Sequence, residues 1–115
     1  MVTISDERFE ELVDMGLDLI PEELLSRLTN VVIRIEDRNP DSPDILGLYE
    51  GVALPDRTNE FSGFLPDTIT IYKESLKEYC VSERQLVEQV GITVVHEIAH
   101  YFGIDDARLH ELGWG

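Results

Sequence analysis

Between Ser82 and Gly103 the chain meets every local requirement of one long helix buried along one side. Leu86, Val90, Val94, Ile98 and Phe102 recur at four-residue steps, and Val87 and Val95 widen the stripe. That spacing lays an apolar band along a helix. Ser82 with Gln85 three residues later matches a capping box. Gly103 supplies the left-handed stop common at a helix C-terminus. Whatever else the chain builds has to cover this stripe.

The same helix carries unusual chemistry near its end. The chain has three histidines, His96, His100 and His110, all within fifteen residues. In His96-Glu97-Ile98-Ala99-His100 two of them stand four apart, about 40° from each other around a helix axis. Imidazoles placed so can bind one metal ion together. Glu97 projects from a neighbouring part of the helix, within reach of a water on that metal. Neutral nitrogen ligands, an open position for water and a base beside it are what a hydrolytic zinc site needs.

Catalytic zinc usually takes a third protein ligand. Gly103 lets the chain turn sharply, so that Asp106, six residues past His100, folds back toward the ion. Asp105 and His110 are the other candidates. Asp105 or Asp106 also suits the N-cap of a short last helix holding Leu109 and Leu112. Two neutral histidines and one aspartate would leave a Zn²⁺ site at net +1, which favours a carbonyl oxygen or hydroxide. Tyr49, Tyr72, Tyr101, Arg108 and His110 are candidate donors to a developing oxyanion, although Tyr101 also suits packing.

Elsewhere the patterns are shorter. Phe9, Leu12, Val13, Gly16, Leu17 and Ile20 have helical spacing behind Ser5 as N-cap, and Pro21 ends that helix or starts a second through Leu28. Val31–Glu36 is β-branched and reads as a strand. Asp37–Asp44, with Asn39-Pro40 and Ser42-Pro43, is a loop. Leu46–Leu54 reads as a strand with a turn or bulge at its glycines. Pro55–Pro66 is polar and irregular, with Phe61 and Phe64 at its end. Thr68–Tyr72 alternates cleanly as a strand, and Lys73–Tyr79 suits one or two helical turns.

Composition sets the outer limits. At 115 residues and 43% hydrophobic content the chain makes one domain, residues 1–115, around one core. Its net charge of −15, from 24 acids against 9 Lys and Arg, is spread along the chain. This reads as a solvated acidic surface, and secondarily as an attraction for basic peptides. It disfavours nucleic acid, whose binding depends on cations, and equally an anionic membrane surface. No apolar run approaches the roughly 20 residues of a membrane helix. The first residues lack the basic and apolar regions of a signal peptide. The single cysteine, Cys80, forms no internal disulfide and suits a buried apolar position. A soluble, cytoplasmic protein is expected.

His96-Glu97-Ile98-Ala99-His100-Tyr101-Phe102-Gly103-Ile104-Asp105-Asp106 resembles the extended zincin motif H-E-x-x-H-x-x-G-x-x-D. Over nearly its whole length the chain is similar to the small bacterial minimal zincin metallopeptidase-like proteins. The shared segments include Gly47-Leu48-Tyr49-Glu50-Gly51, Pro66-Asp67 with Ile69–Tyr72, and Arg108-Leu109 with Glu111-Leu112-Gly113. The resemblance implies an α+β zincin-like fold, a small mixed sheet packed against helices that include the motif helix. It implies one zinc ion per chain on His96, His100 and Asp106, with Glu97 as catalytic acid and base. It implies a peptide or unfolded-protein substrate, paired in extended form with a sheet-edge strand, either Thr68–Tyr72 or Leu48–Ala53. Metzincins add a methionine-bearing turn after the motif, whereas the methionines here are Met1 and Met15. The expected activity is zinc-dependent peptide hydrolysis. The alternatives are a non-catalytic zinc-binding interaction domain and, against the charge, a metal-dependent ribonuclease.

Overall fold

A computed structural model describes residues 1–57 and 65–111. Phe61 and Phe64 of the predicted irregular stretch, and Leu112 of the predicted last helix, lie outside these residues. Helix α1 spans Asp6–Asp18. Ser5 caps it, its hydroxyl accepting the Arg8 N–H at 3.1 Å, and Asp6 and Glu7 in the first turn suit the positive end of the helix dipole. After Pro21 comes a single turn, α2, at Glu22–Leu25. Strand β1 is Val31–Glu36 and β2 is Gly47–Glu50. Strand β3 is Asp67–Tyr72, followed directly by α3 at Lys73–Tyr79. Helix α4 runs Glu83–Tyr101, and α5 is Asp106–Glu111.

The second strand is shorter than its sequence pattern predicts. It stops at Glu50, and Leu54–Asp56 coil into a 3₁₀ turn. Pro55 sits in that turn; its fixed φ and missing N–H suit the turn and not a strand.

The sheet order is β1-β3-β2, with β1 parallel and β2 antiparallel to β3. This corrects one of the two expected edge strands. Thr68–Tyr72 is the middle strand, its backbone groups taken on both sides, so it cannot receive a further strand. Its position also explains its burial. Alternation of Thr and Ile predicts a strand with one wet face, yet only Thr68 keeps partial exposure, because flanking strands shade a central one on both sides. The free edge on the α4 side is β2.

The core joins Phe9, Leu12 and Val13 of α1, Ile69 and Ile71 of β3, Leu76 of α3, and Leu86, Val90, Val94 and Ile98 of α4. Helix α1 packs along α4, and α4 also touches β2 and β3. The four-residue ladder is thus the spine of the fold. Burying side chains of this size contributes about 1.5–3 kcal/mol each. Cys80 lies in the same core, and burial pushes its thiol pKa up, so it behaves as an apolar filler. Among the described residues no helix is long and apolar enough to cross a membrane.

Candidate metal centre

The last two turns of α4 form one wall of a cleft, and the edge of β2 forms the other. The cleft has a volume of about 560 Å³ and is lined by Gly47, Leu48 and Tyr49 from β2 and by Thr93, His96, Glu97 and His100 from α4. Asp106 lies across its mouth. Among the described lining residues Asp44, Glu97 and Asp106 are acids, and none is Lys or Arg.

The ladder that buries one side of α4 turns His96 and His100 to the cleft, with ring centroids 4.8 Å apart. Helix α4 ends at Tyr101, and Gly103 follows at φ +84°, the left-handed conformation that costs glycine least. A Cβ on Gly103 would also stand 2.5 Å from the Pro55 ring. The chain therefore reverses here for two independent reasons. The reversal brings Asp106 Oδ1 to 3.0 Å from His96 Nε2 and 3.1 Å from His100 Nε2.

Asp105 and Asp106 divide the two roles open to them. The Asp105 carboxylate accepts the Arg108 N–H at 2.8 Å and so caps α5. Asp106, 80% exposed at its side chain, is left facing the histidines from the open side. Asp105→Ala is expected to cost the cap, about 0.5–2 kcal/mol in urea unfolding, while zinc still binds one per chain. Loss of zinc in that variant would move the third donor to Asp105. His110 is exposed on α5 and is not brought into the cleft.

His100 is held from behind. Its Nδ1 lies 2.8 Å from the Ile104 carbonyl, which can only accept, so Nδ1 carries the ring proton when the ring is neutral. Its Nε2 then presents a lone pair to the cleft, as a metal ligand requires. The His100 Nε2 lone pair and Asp106 Oδ1, 3.1 Å apart, repel each other unless a proton or a cation lies between them. A zinc ion bound at about 2.0–2.2 Å separates its N and O ligands by about 3.3 Å. The donor set therefore fits zinc with shifts of a few tenths of an ångström.

Glu97 also lies close to this pair. His96, Glu97 and His100 present ligand atoms all within 4.8 Å of one another, which would make Glu97 an alternative third donor. The distances favour Asp106, because Glu97 Oε1 stands back at 4.0 Å from His100 Nε2. Glu97 is 7% exposed and forms the floor of the cleft. Burial raises its pKa above the usual carboxylate range. Both histidines and the Tyr49 backbone N–H oppose that rise, and Asp106 adds to it.

A raised folded pKa means that Glu97 favours folding while protonated and that this contribution is lost as pH rises through the folded value. Its effect is complete below the unfolded value, 4.5. In the metal-free protein, Glu97→Gln is therefore expected to raise the melting temperature at neutral pH. The gain should shrink toward zero as pH falls below 4.5. An equal gain at both pH values would show that ionisation is not its cause.

Four of the five side chains considered for the oxyanion are engaged elsewhere, and the fifth, His110, is exposed outside the cleft. Tyr49 donates its hydroxyl to Asp67 at 2.6 Å. Tyr72 accepts from Asn39 at 2.9 Å, Tyr101 accepts the Thr29 N–H at 3.2 Å, and Arg108 pairs with Glu111 at 2.9 Å. Tyr101 is buried and packs edge-to-face on Tyr49 and Phe102, as its packing role predicts.

Sequence reasoning missed the cluster that anchors β2. Asp67, buried at the start of β3, takes the Tyr49 hydroxyl and the Arg57 guanidinium, the latter at 2.7 Å. Arg57 also stacks 5.4 Å above the Tyr101 ring. These partners are separated by up to 44 residues, and no local pattern marks them.

The model of a family described as zincin-like metallopeptidase matches residues 28–114. Among solved structures, a conserved hypothetical protein from Thermo thermophilus is similar, with a TM-score of 0.57 and 25% sequence identity. The match covers 95% of this chain and 97% of that one. Among curated proteins none matches.

Proposed function

The chain belongs to the zincin-like metallopeptidase family, and from that footing we propose that it is a zinc-dependent peptidase cutting peptides or unfolded protein chains. The observation that carries this reading is the convergence of Asp106 Oδ1 on two imidazole Nε2 atoms at 3.0 and 3.1 Å, with a separate buried carboxylate behind them. A purely structural zinc site closes with four protein ligands and has no use for a base beside it.

His96, His100 and Asp106 would hold one zinc per chain. Zinc bound there polarises a carbonyl and lowers the pKa of a water from about 15.7 toward about 7. Glu97 takes a proton from the attacking water and returns it to the departing amine. Its burial suits this exchange, because a raised pKa makes the carboxylate a stronger base than an exposed one. The Ile104 carbonyl holds the His100 ring in its donor orientation.

The β2 edge supplies a place for the substrate backbone. The Leu46 carbonyl accepts from Tyr72 N–H on β3 at 3.0 Å. By the alternation of an antiparallel ladder, Gly47 and Tyr49 direct their backbone groups the other way, so that the Gly47 groups and the Tyr49 carbonyl face a substrate while the Tyr49 N–H faces Glu97. An extended peptide would pair there by strand addition. The acidic cleft suits neutral or basic peptides and disfavours nucleic acid.

The test is digestion of a diverse peptide library by the zinc-loaded protein, read by mass spectrometry against metal-depleted protein. Cleavage that appears with zinc and ends on chelation supports the reading. One zinc per chain with no bond cut would overturn it in favour of a non-catalytic zinc-binding interaction domain.

A further inference from the structure

The geometry points to Gly47 as the residue that sets how closely the β2 edge approaches Glu97, and so as a positioning residue for that carboxylate. This inference rests on Glu97 being the base of the proposed reaction. A Cβ built on Gly47 would stand 2.6 Å from Thr93 Cγ2, 3.2 Å from the Thr70 carbonyl oxygen and 3.5 Å from Glu97 Cγ. Its backbone does not need the left-handed region, which the described glycines enter only at Gly51 and Gly103. The constraint at Gly47 is therefore space alone.

Each neighbour resists giving way. Thr93 is buried, so although a helical threonine has two χ1 wells, moving its methyl to the other means repacking it among its neighbours and displacing the hydroxyl. Its hydroxyl lies 3.4 Å from Gln89 Nε2. The Thr70 carbonyl belongs to the central strand. A methyl group at position 47 would then have to lift β2 from α4 by about 1 Å to restore ordinary contact. Two residues along the same strand, the Tyr49 N–H is turned toward the cleft, where it favours the charged form of the Glu97 carboxylate. A displacement of about 1 Å takes a hydrogen bond outside its working range. The donors proposed for zinc lie on α4 and at the start of α5, and they would stay where they are.

The test compares Gly47→Ala, Thr93→Ser and the double variant. Thr93→Ser removes the colliding methyl and keeps the hydroxyl. Amide hydrogen exchange at Tyr49, followed by NMR in metal-free protein, reads the contact without any need for activity. Exchange should speed up about tenfold in Gly47→Ala, the loss of one hydrogen bond's net contribution. It should return most of the way in Gly47→Ala/Thr93→Ser. Zinc affinity, measured by chelator competition, should be unchanged in all three.

Where a cleaved peptide is in hand, kcat should fall in Gly47→Ala and recover in the double variant. Unchanged Tyr49 exchange in a folded Gly47→Ala protein would overturn the proposal. So would failure of Thr93→Ser to restore it, or a fall in zinc affinity matching the fall in kcat. If Gly47→Ala does not fold, the double variant is compared with Thr93→Ser alone, where Tyr49 exchange should agree within about threefold; a larger gap overturns the proposal. Absence of any peptide cleavage by the wild-type protein would remove the catalytic reading of Glu97, while the exchange experiment would still decide whether Gly47 places it.

Discussion

Glu97→Gln is expected to keep one zinc per chain and to lose peptide cleavage by about 10²–10⁴-fold, the usual contribution of a positioned general base. The substitution is nearly isosteric, so the fit of the α4 floor against β2 persists. It removes only the capacity to take a proton. Glu97 Oε1 lies 4.0 Å from His100 Nε2, farther than Asp106 Oδ1 at 3.1 Å, so the donor set is untouched. The measurement pairs metal analysis with the rate of cleavage of one peptide found by the library digestion. Full activity in a zinc-loaded Glu97→Gln protein would end its assignment as the base. Loss of zinc together with activity would instead make it a ligand, as its place within 4.8 Å of both histidines would allow.

Removal of a donor should act on the metal itself. Asp106→Ala and His100→Ala are each expected to weaken zinc binding by well over the roughly 10–100-fold that follows from disturbing a ligand's hydrogen-bond partner. Asp106 is mostly exposed, so its loss should leave the metal-free fold intact. His100 is held by the Ile104 carbonyl, and its loss also frees that turn. Zinc affinity by competition with a chromogenic chelator separates these effects from folding, which a melt of the metal-free protein reads. His110→Ala should change neither. Because imidazole binds only when deprotonated, wild-type zinc should be released as pH falls below about 6. Stoichiometric zinc held at about pH 4, or unaltered affinity in Asp106→Ala, would refute the donor set.

Much of the fold was legible because it depends on near neighbours. Ser5 and Ser82 cap their helices through bonds three residues away, at 3.1 Å each. The four-residue ladder of α4 states its own buried side. Strand β2 was legible only in part: its apolar residues run on to Leu54, but the backbone leaves the ladder at Gly51 and coils at Pro55. The order β1-β3-β2 could not be read at all, because a strand's pattern records how deeply it is buried and not which strand lies beside it.

For the site, the chain by itself determined the two histidines on one helix face, the glutamate between them, and the stop at Gly103. These follow from 3.6 residues per turn and one permissive residue. Tertiary structure decided the rest. It chose Asp106 over Asp105 to face the histidines, because only one of two adjacent carboxylates can cap α5 while the other turns outward. It made β2 the edge strand on the α4 side by placing β1 on the far side of β3. It buried Glu97 beneath a strand some fifty residues earlier, where Gly47 leaves just enough room for the Tyr49 N–H to reach it. Such contacts depend on where distant segments come to rest, and local periodicity carries no record of that.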